Sequence, residues 1–146
     1  MAESEASPAL ILAIDKDPQV IDAYRRYLAG RNFSVIGLTE LDQAIEVARA
    51  VQPFAITLDV TMTGEIPDSA EFPAGSPEHA SINGWQTLET LKTDPLTRDI
   101  PIIVCTLLAE QDKAYRFGAT GYLLKPIIAD DLTTALQRLG DPRSKR

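Results

Sequence analysis

Short apolar runs alternate with helical patterns five times along this chain. The first run, Ala9-Leu10-Ile11-Leu12-Ala13-Ile14, is apolar at every position. That is the pattern of a strand buried on both faces. It stops at Asp15-Lys16-Asp17-Pro18, where Asp17 and Pro18 read as the N-cap and first position of a helix. Val20, Ile21, Tyr24, Tyr27 and Leu28 then recur at helical spacing, and Gly30 suits the C-terminal cap. Phe33 to Gly37 is a second strand. Thr39 is placed to cap a second helix, with Leu41, Ala44, Ile45, Ala48 and Val51 on one face. Phe54 to Leu58 is a third strand and ends on Asp59.

Residues 61–82 break the rhythm. They hold Pro67, Pro73, Pro77, Gly64 and Gly75, four acidic residues and no Lys or Arg. This stretch predicts a long loop with at most one helical turn, of a length that in compact domains is usually functional or mobile. The rhythm resumes with Asn83-Gly84 and a helix through Trp85, Leu88 and Leu91. A strand at Ile102 to Cys105 follows, then a helix ending near Gly118. A strand at Gly121 to Leu124 precedes a last helix through Leu132, Ala135, Leu136 and Leu139, capped near Gly140.

Such alternation predicts an α/β domain, a parallel sheet with helices on both faces. At 146 residues it is one domain. Hydrophobic residues at 45% and charged residues at 24% exclude wholesale disorder. No apolar run approaches the ~20 residues of a membrane span, so no membrane partner is expected. A net charge of −7 opposes phosphate backbones, so direct nucleic-acid binding is not expected either. The N-terminus, MAESEASPA, is no signal peptide, and the single Cys105 fits a reducing, cytoplasmic setting.

Parallel sheets bind ligands beyond the carboxyl ends of their strands. Those ends deliver Asp15, Lys16 and Asp17, then Asp59, then Thr106, then Lys125 followed by Pro126. A carboxylate is a nucleophile toward phosphorus, and a transferring phosphoryl group wants cationic partners. Asp59 is the natural nucleophile, because it ends a central strand between the other groups. Lys125 supplies a positive charge and Thr106 a hydrogen bond. Singly, each residue also has a plain reading as a cap or turn former: Asp17 and Thr106 as helix caps, Asp59 and Lys125 at turns. His79 reads as an exposed loop residue and Cys105 as a small buried hydrophobe. Trp85 reads as a partly buried helix opener. No glycine-rich phosphate loop follows the first strand, which disfavours a flavin or dinucleotide enzyme.

The stretches ILAIDKDP, FAITLDV, INGWQTLETLK, IPIIVCTLLAE and GATGYLLKPI, in that order, resemble the receiver domain of bacterial two-component response regulators. The resemblance covers about residues 9–140. It implies a flavodoxin-like (βα)5 fold with a doubly wound five-stranded sheet of order 2-1-3-4-5. It implies that Asp59 accepts a phosphoryl group from a histidine kinase or histidine phosphotransfer protein, with Mg²⁺. Asp15, Asp59 and the backbone carbonyl of Thr61 would hold the metal. Thr106 and Lys125 would contact the phosphoryl group, and Thr106 and Tyr122 would form a switch read by a downstream protein. Lys125-Pro126 matches a bond that is often cis in the family. Enzymatic activity would be limited to self-catalysed phosphorylation and dephosphorylation. Three departures stand out. Lys16 replaces the second acidic residue of the family's pair, which weakens the metal site. The step from Asp59 to Gly84 is far longer than usual, with Thr63 at the usual proline. Leu107 stands where the family has a small residue. The broken acidic pair raises an alternative, a receiver-like interaction module that works without phosphorylation. The chain is expected to be a single receiver domain, either a stand-alone regulator or part of a longer protein.

Overall fold

A computed structural model of the chain describes residues 8–64 and 82–139. Five parallel strands form one sheet: β1 (Ala9–Ile14), β2 (Phe33–Leu38), β3 (Ala55–Leu58), β4 (Ile102–Thr106) and β5 (Gly121–Leu124). Their order is β2-β1-β3-β4-β5, the expected doubly wound arrangement. The helices are α1 (Pro18–Leu28), α2 (Ala44–Val51), α3 (Gly84–Thr93), α4 (Gln111–Arg116) and α5 (Ala129–Gln137).

Alternation along each strand sorts two cores. Ile11 and Ala13 of β1, Ala55 of β3, and Ile103 and Cys105 of β4 face α1 and α5, packing on Ile21, Tyr24, Leu28, Leu132 and Leu136. Leu12, Ile14, Ile56, Leu58, Ile102 and Val104 face the other helices, packing on Leu41, Ala44, Ala48, Leu88, Leu91 and Ala114. Both faces are apolar, so register is held doubly: a slip by one residue would exchange the two sets.

Local signals set most helix ends. The Asp17 side chain accepts from the Gln19 N–H with Pro18 in the first turn, and Gly30 beyond α1 has φ of 76°. Asn83 and Gln86 form a reciprocal capping box on α3. Two boundaries differ from the sequence expectation. Helix α2 begins at Ala44 behind Gln43, not at Thr39, and Leu41 is buried in the turn before it. Helix α4 begins at Gln111, five residues beyond Thr106, so Thr106 does not cap it. Before α2 the apolar pattern runs into a turn that packs against the core without being helix; before α4, Leu107, Ala109 and Glu110 are exposed and Leu108 is half-buried.

The stretch expected to be all loop starts and ends as a small antiparallel ribbon, Thr63–Gly64 against Ile82–Asn83. The ribbon brings Gly84 back against the chain that leaves Asp59. The Gly84 N–H donates to the Met62 carbonyl at 2.9 Å. A Cβ on Gly84 would lie 2.4 Å from the Val60 Cα, so only glycine opens α3 here. The remainder of the expected loop, with His79, lies outside the described residues.

Candidate functional site

The backbone ladder continues one residue past the strands and places the site. Asp15 N–H donates to the Leu38 carbonyl at 3.0 Å, Asp59 N–H to Ile14 at 3.0 Å, and Lys125 N–H to Thr106 at 2.7 Å. Parallel pairing, Ile14 with Leu58 and Thr106 with Leu124, therefore puts three charged side chains on one rim. The Lys125-Pro126 bond is cis.

Lys125 joins the two carboxylates. Its Nζ lies 2.6 Å from Asp15 Oδ2 and 2.9 Å from Asp59 Oδ2. Asp15 and Asp59 are only 2% and 3% exposed. The remaining oxygen of each carboxylate captures the N–H two residues on, the geometry of an Asx turn. Asp15 Oδ1 accepts from Asp17 N–H at 2.9 Å. Asp59 Oδ1 accepts from Thr61 N–H at 2.9 Å and also from the Thr61 hydroxyl at 2.7 Å. Burial pushes the Asp59 carboxyl up, but the Thr61 hydroxyl, Lys125 and the Thr61 N–H outweigh it and hold it below the ordinary value. Burial pulls the Lys125 ammonium down, and the two carboxylates outweigh that to raise it. Both shifts favour the charged forms of Asp59 and Lys125.

Three of the expected residues come together, with Lys125 in contact with both Asp15 and Asp59. Thr106 is fully buried beside them at the end of β4, and its hydroxyl accepts from Leu108 N–H at 3.2 Å. Lys16 is exposed. Asp17 is occupied in capping α1, as its plain reading holds. Leu107 is 71% exposed and points away from the packed interior. Tyr122, on β5, is half-buried against the α2–α4 face of the core. Its hydroxyl donates to the Leu108 carbonyl and accepts from Glu110 N–H at 3.1 Å, which ties β5 to the β4–α4 connection. Cys105 is buried and its thiol is pushed up to about 12. Trp85 packs edge-on to Phe117 with Lys113 Nζ 4.4 Å over its ring.

The side chain of Thr61 escaped the sequence reading, which used only its carbonyl. An aspartate ending a strand, with a hydroxyl residue two positions later, was the signal available.

The donor set suits a hard divalent cation in kind, two buried carboxylates on one rim. It is one carboxylate short in number: among the described residues no group of three or more His, Cys, Asp or Glu side chains converges. Among those residues no helix is long and apolar enough to cross a membrane.

No family model matches the chain. The nitrate/nitrite response regulator protein NarL of Escherichia coli is 30% identical over 139 residues, 92% of this chain and 56% of NarL. The chain spans about half or less of the length of the curated relatives it matches. The N-terminal domain of a response regulator receiver protein from Methanoculleus marisnigri superposes with a TM-score of 0.64 at 27% identity, covering 96% of this chain and all of that one. The receiver domain of the sensor histidine kinase PA1611 of Pseudomonas aeruginosa, with magnesium in its active-site cleft, gives 0.70 at 20% identity over 92% of this chain and all of that one. Fold, strand-end chemistry and relatives agree: the chain belongs to the receiver-domain family of two-component response regulators.

Proposed function

We propose that Asp59 accepts a phosphoryl group from a phosphohistidine on a histidine kinase or histidine phosphotransfer protein. The observation that carries this is Lys125, held by ion pairs between Asp15 and Asp59 at the mouth of the sheet. A purely structural descendant of the fold has no use for two buried carboxylates clamped on one lysine. In transfer, an Asp59 oxygen forms a bond to phosphorus, the donor's P–N bond breaks, and the electron pair stays with the imidazole. Lys125 then turns from the carboxylate to the phosphoryl oxygens, where charge is greatest. Asp15, Asp59 and the Thr61 carbonyl would hold Mg²⁺, weakly, because Lys16 stands in place of a third carboxylate. When bound, the cation supplies charge neutralisation for the phosphoryl group.

The phosphoryl group is read by Thr106. Drawing its hydroxyl toward the phosphate breaks the bond to Leu108 N–H. That loosens the same backbone on which Tyr122 is hydrogen bonded. The face formed by α4, β5 and α5 then has two arrangements, and a downstream protein partner that prefers one shifts the balance. The setting is cytoplasmic.

Mass spectrometry after exposure to a small phosphodonor with Mg²⁺ tests the reading. One phosphoryl mass is expected on the wild type, labile to hydroxylamine, and none on Asp59→Ala. A stable phosphate on Ser, Thr or His, or no added mass at all, refutes it. In the latter case the phosphorylation-independent module is the reading left.

A further inference from the structure

Strand β2 lies at one edge of the sheet, and among the described residues only β1 pairs with it. Edge strands are normally guarded by charge, proline or a bulge. Phe33-Ser34-Val35-Ile36-Gly37-Leu38 holds no charged residue and no proline, and its register with β1 runs without a bulge. Its free hydrogen-bonding groups can be assigned. The carbonyls of Asn32 and Leu38 accept from the Ala9 and Asp15 N–H groups, so the even-numbered residues face β1. Alternation then turns the N–H and C=O of Phe33, Val35 and Gly37 outward. We propose that two copies of this chain join through β2 as an antiparallel pair centred on Val35, which makes one continuous sheet across the dimer.

The occupant is a second copy because the edge is complementary to itself. With Val35 opposite Val35, Phe33 of each copy meets Gly37 of the other, and about six backbone hydrogen bonds close. Centring on Phe33 or Gly37 would leave outward groups at the far end of β2 unpaired. On the α1 side, Phe33 of one copy comes beside a hollow of about 270 Å³ in the other, lined by Ile21, Arg25, Gly37 and Glu40 among others. Gly37 carries no side chain there, so the ring can lie against its backbone, an aromatic-on-glycine pairing that pins register in sheets. On the opposite side Ile36, 37% exposed, meets Ser34 of the other copy and covers apolar surface that the single chain leaves open. Charge agrees with the direction of pairing. Antiparallel strands bring the Arg31 end of each β2 to the Glu40 end of the other, and both residues are exposed. Neither Asp59 nor the face of α4, β5 and α5 takes part, so this surface is separate from phosphoryl transfer.

Sedimentation equilibrium of the full chain, from about 10 µM to 1 mM, reads the association. The expected mass rises from 15.9 kDa toward twice that value. Ile36→Lys should weaken the dimer by about tenfold, because a charge on the edge opposes strand pairing. An unchanged melting temperature in dilute solution shows that this exposed lysine leaves the fold intact. Register is read by mixing Ser34→Cys with Ile36→Cys and oxidising mildly. Opposed residues outside the hydrogen-bonded pairs lie about 4.5 Å apart at Cα, a span that a disulfide bridges. The mixed disulfide is expected in large excess over either self-linked product. A dimer that Ile36→Lys leaves untouched overturns the proposal, and so do self-linked products in place of the mixed one. A monomer across the whole range overturns it too, and leaves the edge to an extended segment of another protein.

Discussion

Replacing Lys125 by alanine leaves two buried carboxylates facing each other with no counter-charge. Both Oδ2 atoms lie on one nitrogen, so they are at most the sum of 2.6 and 2.9 Å apart, about 5.5 Å. At an effective dielectric of ~20, two unit charges at that separation repel by about 3 kcal/mol. Removing one member of a buried ion pair typically costs about 3–5 kcal/mol, which agrees. The Lys125 side chain is 14% exposed, so solvent screening takes back little of this. The expected loss at pH 7 is about 3 kcal/mol, or roughly 10 °C in melting temperature for a domain of this size. The sign with pH follows from proton linkage. In the wild type, the depressed Asp59 carboxyl adds stability above the unfolded carboxylate value, and that stability is lost as pH falls. In Lys125→Ala, the facing carboxylates bind a proton more tightly folded than unfolded, so stability is regained as pH falls from about 7 toward 4. The gap between the two proteins must therefore narrow on acidification. Millimolar Mg²⁺ should narrow it too, by raising the variant more than the wild type. Thermal melts from pH 4 to 8, with and without Mg²⁺, measure all of this. A variant as stable as the wild type at pH 7, or a gap that does not change with pH, refutes the electrostatic account of the cluster.

Lys16→Asp removes a positive charge and restores a carboxylate beside Asp15. The exposed position puts the gain near the lower end of ~1–4 kcal/mol, so Mg²⁺ affinity by calorimetric or NMR titration should rise about tenfold. Gly84→Ala drives a methyl into the backbone of Val60, which cannot step aside, and should cost about 1–3 kcal/mol by denaturant unfolding. Tyr122→Phe deletes both bonds to the β4–α4 connection. Amide exchange at Glu110 should quicken by about tenfold, and unchanged exchange there would remove Tyr122 from the switch. The Cys105 thiol, buried and raised to about 12, should resist a thiol reagent at pH 8 in the native protein and react on unfolding.

The rim residues can be picked out from the sequence for a plain reason. Buried parallel strands are continuous apolar runs, so the first polar residue after each run is the rim residue, and Asp15, Asp59 and Lys125 stand there. Asp17, Pro18, Gly30 and Asn83 mark helix ends because capping is local chemistry, satisfied within a few residues. Thr39 misleads for the converse reason: Leu41 is set by packing into the core, and apolar spacing alone does not separate a packed turn from a helix; Thr106 misleads because a bend of mostly exposed residues separates it from α4. Which strand lies beside which, and so that Lys125 reaches two carboxylates more than sixty residues away, was decided by tertiary structure. So was the place of the Thr61 side chain. Its hydroxyl finds Asp59 only because the chain turns sharply after β3, a turn held by Met62 N–H on the Asp59 carbonyl and by Gly84 pressed against Val60. A hydrogen bond of that kind depends on ångström placement, which residue type and spacing do not encode, whereas charge, polarity and periodicity are properties of the sequence itself.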